Sequence, residues 1–249
     1  MKLLHRGLPA SIALVASILS LHTITQASAI SMSVPNRMLL SAKMEAAQIG
    51  KAVLTALNID TESPIPTITH MDSFTAAEVI KSHTGKHGSV CFVVRRPGWV
   101  LCREQGQQLT DLVTDKSQPL DGFELFGLVK ETGVDDQGLT EFYKDSFNFP
   151  LYKDEDLVFY NEFYGKRKLK LTTWNPLKLY SGYKDMSKRL KEKDLEGNLI
   201  GEGLVQGGII IFGKDGKPKY SYEEETGSEI PVDDIVAALN AVKASKDEL

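Results

Sequence analysis

The apolar run Val90-Cys91-Phe92-Val93-Val94 stops abruptly at Arg95-Arg96-Pro97-Gly98. An unbroken apolar run of this length, bounded by a breaker, reads as a strand covered on both faces. The strand is placed at Ser89 to Arg96, and helices are expected above and below its sheet. A helical stretch follows from about Val100 to Val113, with Leu101, Leu109, Leu112 and Val113 as core positions. Cys102 therefore stands just after a buried strand and at the start of a helix. Orphan N–H groups and the positive end of the macrodipole stabilise a thiolate there, so a lowered pKa is expected. Arg95, Arg96 and Arg103 would act in the same direction if they point inward.

Other segments complete an α/β pattern. Arg37 to Asn58 has helical spacing, Thr61 to Thr69 reads as a linker through Pro64 and Pro66, and Ser73 is placed as the N-cap of a helix over Ala77, Val79 and Ile80. A second strand fits Phe123 to Val129, and helices fit Leu139 to Tyr143 and Asp156 to Tyr164. Gly165 to Gly203 reads as a long insertion with partial helix. Gly208 to Phe212 is an apolar strand, Asp215-Gly216 a hairpin turn, and Lys219 to Glu223 the return strand. Pro231-Val232-Asp233-Asp234 opens a last helix. A βαβ unit followed by ββα matches a thioredoxin-like layout, a central mixed β-sheet flanked by helices, here with an N-terminal helical extension.

Both ends read as addresses. Lys2 and Arg6, the apolar run Ile12 to Leu21 and Ala27-Ser28-Ala29 form the layout of a cleaved secretory signal peptide over residues 1–29. The apolar run is about half the roughly 20 residues that a membrane span needs, so no stable span is expected after cleavage. The C-terminal Lys246-Asp247-Glu248-Leu249 is a retrieval signal for the endoplasmic reticulum. The expected location is the ER lumen; a plastid leader or an uncleaved membrane anchor is the alternative. Residues 30–63 form the N-terminal segment and linker, and 64–245 the folded domain. The 29 basic and 33 acidic residues give a net charge of −4, without the basic surplus of a nucleic-acid binder.

The stretch Cys91 to Glu104 resembles the peroxiredoxin-like 2 (selenoprotein U-like) family, of the alkyl hydroperoxide reductase/thiol-specific antioxidant branch of the thioredoxin superfamily. Phe126-Gly127-Leu128-Val129-Lys130-Glu131 and Gly197 to Gly208 resemble it too, so the likeness covers roughly Ser89 to Lys243. Members usually carry Arg-Arg-x-Gly-Cys-x-x-Cys. Here the first Cys is replaced by Trp99, so a dithiol cycle within the motif is impossible. The resemblance implies a thiol-dependent antioxidant oxidoreductase that reduces peroxides or disulfides through Cys102, served by an external thiol reductant. Arg95, Arg96 or Arg103 would lower the thiol pKa, and Glu104 would orient an arginine. Gly207-Gly208 occupies the place where thioredoxin folds face the reactive Cys, commonly with a cis-proline. Neither cofactor nor metal is implied. A redox-inactive binding module for a client protein, with Trp99 as an apolar anchor at the rim, is the alternative. A prostaglandin-type reductase follows only by family analogy.

The two cysteines do not read as a pair. Cys91 lies about 16 Å along an extended strand from Arg96, whereas a disulfide needs Cα atoms within about 7 Å. Cys91 is therefore a core thiol. The glycines from Gly197 to Gly208 lead into a strand rather than a helix, which argues against a nucleotide loop. His83 and His87 read as solvated, the run Lys184 to Lys193 as a solvated helix face, and Trp174, Tyr180 and Tyr183 as packing.

Overall fold

The computed structural model describes residues 49–63, 67–114, 120–164 and 175–245. The leader, the retrieval tetrapeptide, Trp174 and most of the expected N-terminal helix lie outside the described residues. The strands are β1 (Val53–Asp60), β2 (Thr67–Thr75), β3 (Gly88–Val93), β4 (Phe123–Val129), β5 (Leu151–Asp154), β6 (Gly208–Gly213) and β7 (Pro218–Glu223). The helices are α1 (Ala76–Ser82), α2 (Val100–Thr114), α3 (Asp136–Asp145), α4 (Val158–Tyr164), α5 (Pro176–Glu192) and α6 (Val232–Ala244). All seven strands join one sheet in the order β2-β1-β5-β4-β3-β6-β7. It is mixed: β3, β4 and β5 are parallel, while β6 runs antiparallel to β3.

Every residue of β3 and β6 is buried, because alternation sends their side chains to two covered faces. Val90, Phe92, Val94, Ile209 and Ile211 pack with residues of α2, α3 and α6. Cys91, Val93, Ile210 and Phe212 pack on the other face with Ala76, Val79 and Ile80 of α1 and with Phe159 and Tyr160 of α4. The thioredoxin-like expectation of a helix-flanked mixed sheet is met. Tyr160 ties the end of β3 to β4: its hydroxyl donates to Val94 O at 2.7 Å and to Leu128 O at 3.1 Å. Tyr160→Phe is expected to lower stability by about 1 kcal/mol, read as a shift of the denaturant midpoint without a change in slope.

Three elements differ from expectation. Val53–Asn58 continues no helix. It lies in β1, paired with β2 and β5 of the main sheet, so the folded domain begins before residue 64. Thr67–Thr69 is strand rather than linker. Ser73 is no N-cap either: it pairs with Thr55, whose hydroxyl lies 2.9 Å from its own. The cap is Thr75, in a reciprocal box with Glu78.

Candidate functional site

β3 ends at Val93, and the chain turns through Arg95–Trp99 before α2 starts. The Trp99 N–H bonds to Arg96 O at 3.0 Å, and Trp99 O accepts the first helical bond, from Arg103, at 3.1 Å. Cys102 is therefore the third residue of α2, within the turn whose N–H groups lack helical partners. Its side chain is 1% exposed and packs in the α2 face of the core. Cys91 is also free and buried, but strand alternation directs it to the opposite face.

The expected low thiol pKa is overturned. Burial pushes the Cys102 thiol up to about 12, and the Glu224 carboxylate adds to the rise. The N–H groups of Arg96 and Arg95 and the Arg95 cation pull the other way, and burial outweighs them. Of the three arginines, two face the thiol. Arg95 is 2% exposed, and its Nη1 bonds Glu224 Oε1 at 2.7 Å and Thr226 Oγ1 at 3.1 Å. Its Nε donates to Gly203 O at 2.7 Å. Arg96 Nη1 donates to Leu199 O at 2.7 Å, and Cys102 and Arg96 act on each other electrostatically. Arg103 instead pairs with Glu141 at 2.6 Å. Glu104 does orient an arginine, but a distant one: Arg189 of α5, at 2.8 and 2.9 Å, together with Lys193 at 2.7 Å. This carboxylate is 1% exposed and fastens α5 to α2.

Trp99 is not a free anchor at the rim. It is half-buried and packs against the core cluster that holds Cys102. The guanidinium carbons of Arg95 and Arg96 lie 4.7 and 5.5 Å from its ring centre. Such contacts stabilise both cations beside the site.

Residues 195–207 form an irregular strap over this turn. Asn198 N–H bonds Gly98 O at 2.7 Å, and its side chain reaches Asp135, the N-cap of α3, at 2.9 Å. Glu202 receives Leu204 N–H and Val205 N–H at 2.6 and 3.1 Å. Lys130, at the end of β4, bonds Arg95 O at 2.7 Å and Glu202 Oε2 at 3.1 Å, and also Glu202 O. Burial lowers the Lys130 pKa, while Glu202, Glu131 and Cys102 raise it. Gly207 leaves the close approach expected of it: a Cβ there would stand 2.4 Å from Val93 O and 2.9 Å from Arg95 N. Gly208 pairs with Val93 in the sheet.

Lys130, Glu202 and Glu224 were not singled out as site residues in the sequence. Lys130 and Glu202 do fall inside the family-like stretches, whereas Glu224 follows the polar return strand and gives no signal. His83, expected to be solvated, bonds Tyr152 at 2.8 Å and stacks on Phe126 at 5.2 Å. Tyr180 and Tyr183, expected to pack, are exposed. Among the described residues no helix is long and apolar enough to cross a membrane.

The AhpC/TSA antioxidant enzyme family matches residues 108–226, beginning just beyond Cys102. Peroxiredoxin-like 2A of Gallus gallus is 30% identical over 176 residues, covering 69% of this chain and 70% of that protein. Peroxiredoxin-like 2A of Xenopus tropicalis is 32% identical over 160 residues, and the match spans 64% of each chain, just under two thirds of the relative's length. Among solved structures, Mycobacterium tuberculosis AhpC aligns with a TM-score of 0.44 and 15% identity, over 79% of this chain and 98% of that one.

Proposed function

The chain belongs to the peroxiredoxin-like 2 family, and from that premise we propose that it reduces peroxides or disulfides through Cys102 alone. One observation carries the reading: the sulfur sits in the first turn of α2, under the electrostatic influence of Arg95, Arg96 and Lys130. In the peroxide reaction the sulfur bonds one peroxide oxygen, the O–O bond breaks, and an alcohol or water leaves. The sulfenic acid so formed is returned to thiol by an external thiol through a mixed disulfide. Because Cys102 is 1% exposed, reaction requires the packing around it to open, and the strap lies against the turn just before it. The strap is held there mainly by polar contacts from Arg95, Arg96, Lys130 and Asn198. The proposed setting is the ER lumen, resting on the leader-like start and the terminal Lys246-Asp247-Glu248-Leu249; the mass of the mature N-terminus tests it.

Cys102→Ser is expected to reduce peroxide consumption, assayed with a small thiol as reductant, to the background of thiol without protein. Unchanged consumption would remove the reading. One observation favours a redox-inactive binding module instead: the thiol is pushed up to about 12 in this buried state. That reading expects Cys102→Ser to leave partner capture intact and the parent protein to consume no peroxide.

A further inference from the structure

Leu177 and Tyr180 of α5 are 80% and 70% exposed, more than any other large apolar side chain among the described residues. Apolar side chains scattered singly over a surface are ordinary. These two stand one helical turn apart, on a side of α5 whose other large side chains are lysines. Leu177, Tyr180, Lys184, Lys188 and Lys191 follow one another at intervals of three and four residues, so they line one side of the helix. All five are exposed.

The opposite side is held by the body of the fold. Leu190 is buried there, and Met186 Sδ would lie 3.7 Å from a Cβ on Gly227. Arg189 bonds Glu104 at 2.8 and 2.9 Å and Gly227 O at 3.3 Å. These contacts fasten the C-terminal half of α5 and fix which side it turns outward. Leu177 and Tyr180 are carried on the half beyond them.

Charge selects the partner. The chain as a whole is net −4, yet α5 holds five Lys and Arg residues against two acids, Asp185 and Glu192. In sequence, Lys166, Arg167, Lys168 and Lys170 come before it, and no acid stands between Glu162 and Asp185. A local cationic surplus in an acidic chain calls for an anionic partner. Leucine and tyrosine among lysines on one side of a helix match a helix that lies in the plane of a bilayer surface. There the apolar groups enter the boundary of the acyl chains, and the lysines reach back to the phosphates. A nucleic acid would offer the lysines phosphates, but would give Leu177 no hydrocarbon to enter.

We propose that the outer side of α5 docks the protein on a lipid bilayer that carries anionic headgroups. Leu177 and Tyr180 enter the boundary between headgroups and acyl chains, and Lys184, Lys188 and Lys191 lie level with the phosphates. The helix lies on the bilayer and does not cross it. Two apolar side chains and a few lysines make a reversible, salt-sensitive contact. The docking does not depend on the reading of Cys102.

The test uses the full chain as a secretory host processes it. It is sedimented with phosphatidylcholine vesicles, or with vesicles in which about 30% of the lipid is phosphatidylserine. At about 0.05 M salt the anionic vesicles should bind at least about tenfold more tightly, and at about 0.5 M salt that binding should fall at least about tenfold. Lys184→Glu with Lys188→Glu should remove the preference for anionic vesicles. Leu177→Ser with Tyr180→Ser should weaken anionic-vesicle binding at least about fivefold at low salt, an effect that a purely electrostatic contact would not show. Met71→Ser, which alters an exposed apolar residue of β2, should bind as the parent does. The four substituted positions of α5 are exposed, and urea midpoints like the parent's establish that the variants are folded. The proposal is overturned by a parent without preference for anionic vesicles, by undiminished binding of the Leu177→Ser, Tyr180→Ser protein, or by equal weakening in Met71→Ser. Binding to a single-stranded RNA homopolymer without binding to vesicles also overturns it, and assigns the lysines to nucleic acid.

Discussion

Arg95→Met is expected to lower stability by about 3–5 kcal/mol at pH 7, and by clearly less at pH 5. Arg95 and Glu224 are each 2% exposed and bond at 2.7 Å. Deleting the cation removes the one salt bridge that Glu224 makes among the described residues, which costs far more than the pair contributes as a pair. The pH dependence follows from Glu224. Burial already raises its pKa, and Arg95 is the largest influence holding it down. Without Arg95 the folded-state pKa rises further above the unfolded value of about 4.3. The folded state then holds a proton that the unfolded state has released. The penalty is absent below the unfolded pKa, grows as pH rises, and is complete above the folded pKa. Adding Glu224→Met to Arg95→Met removes the stranded charge and should recover at least half of the loss. Denaturant midpoints at the two pH values read both effects. An Arg95→Met protein within about 1 kcal/mol of the parent at pH 7, or a double variant weaker than the single one, would show that the pair is not buried as described.

The catalytic-looking half of the fold could be read from the chain because its signals are local. β3, α2, β4, β6 and α6 carry unbroken apolar runs or helical spacing, and breakers such as Pro97-Gly98 and Asp215-Gly216 mark their ends. β1 could not be read so well, since Val53, Leu54, Ala56, Leu57 and Ile59 suit either period over so short a span. Its neighbour β2 is almost entirely exposed and so shows no buried pattern. β5 has four residues, two of them charged, and is recognisable only once β1 and β4 stand on either side. The position of Cys102 was legible for the same local reason, but its acidity was not. A helix N-terminus is a property of sequence, whereas complete burial is a property of packing against core residues from elements distant in the chain. The sequence also left open which arginine turns inward, because adjacent Arg95 and Arg96 differ only in their partners. Glu224 was silent: in Tyr222-Glu223-Glu224-Glu225 nothing distinguishes the one carboxylate that the Arg95 cation draws inside.

Gly207→Ala is expected to destabilise the protein by about 3 kcal/mol, whereas Gly182→Ala stabilises it by about 1 kcal/mol. The chemical change is the same methyl group in both. At Gly182, inside α5 and exposed, no atom lies within 4 Å of the added Cβ. There the substitution only exchanges glycine for the best helix former and reduces the freedom of the unfolded chain. At Gly207 the methyl would meet Val93 O at 2.4 Å and Arg95 N at 2.9 Å. Both are backbone atoms, at the end of β3 and in the turn that follows it. Neither strand can easily give way. Gly208 is locked to Val93 in the sheet register, and Gly207 O accepts the Glu224 N–H at 3.0 Å. The clash must therefore push apart β6 and the turn that carries Arg95, and it also presses on Glu224 Oε2, 3.0 Å away. Urea midpoints with unchanged slopes measure the two energies. The same samples should show Cys102 alkylation altered in Gly207→Ala and unaltered in Gly182→Ala. A Gly207→Ala protein as stable as the parent would mean that β6 and the turn do not approach as closely as described.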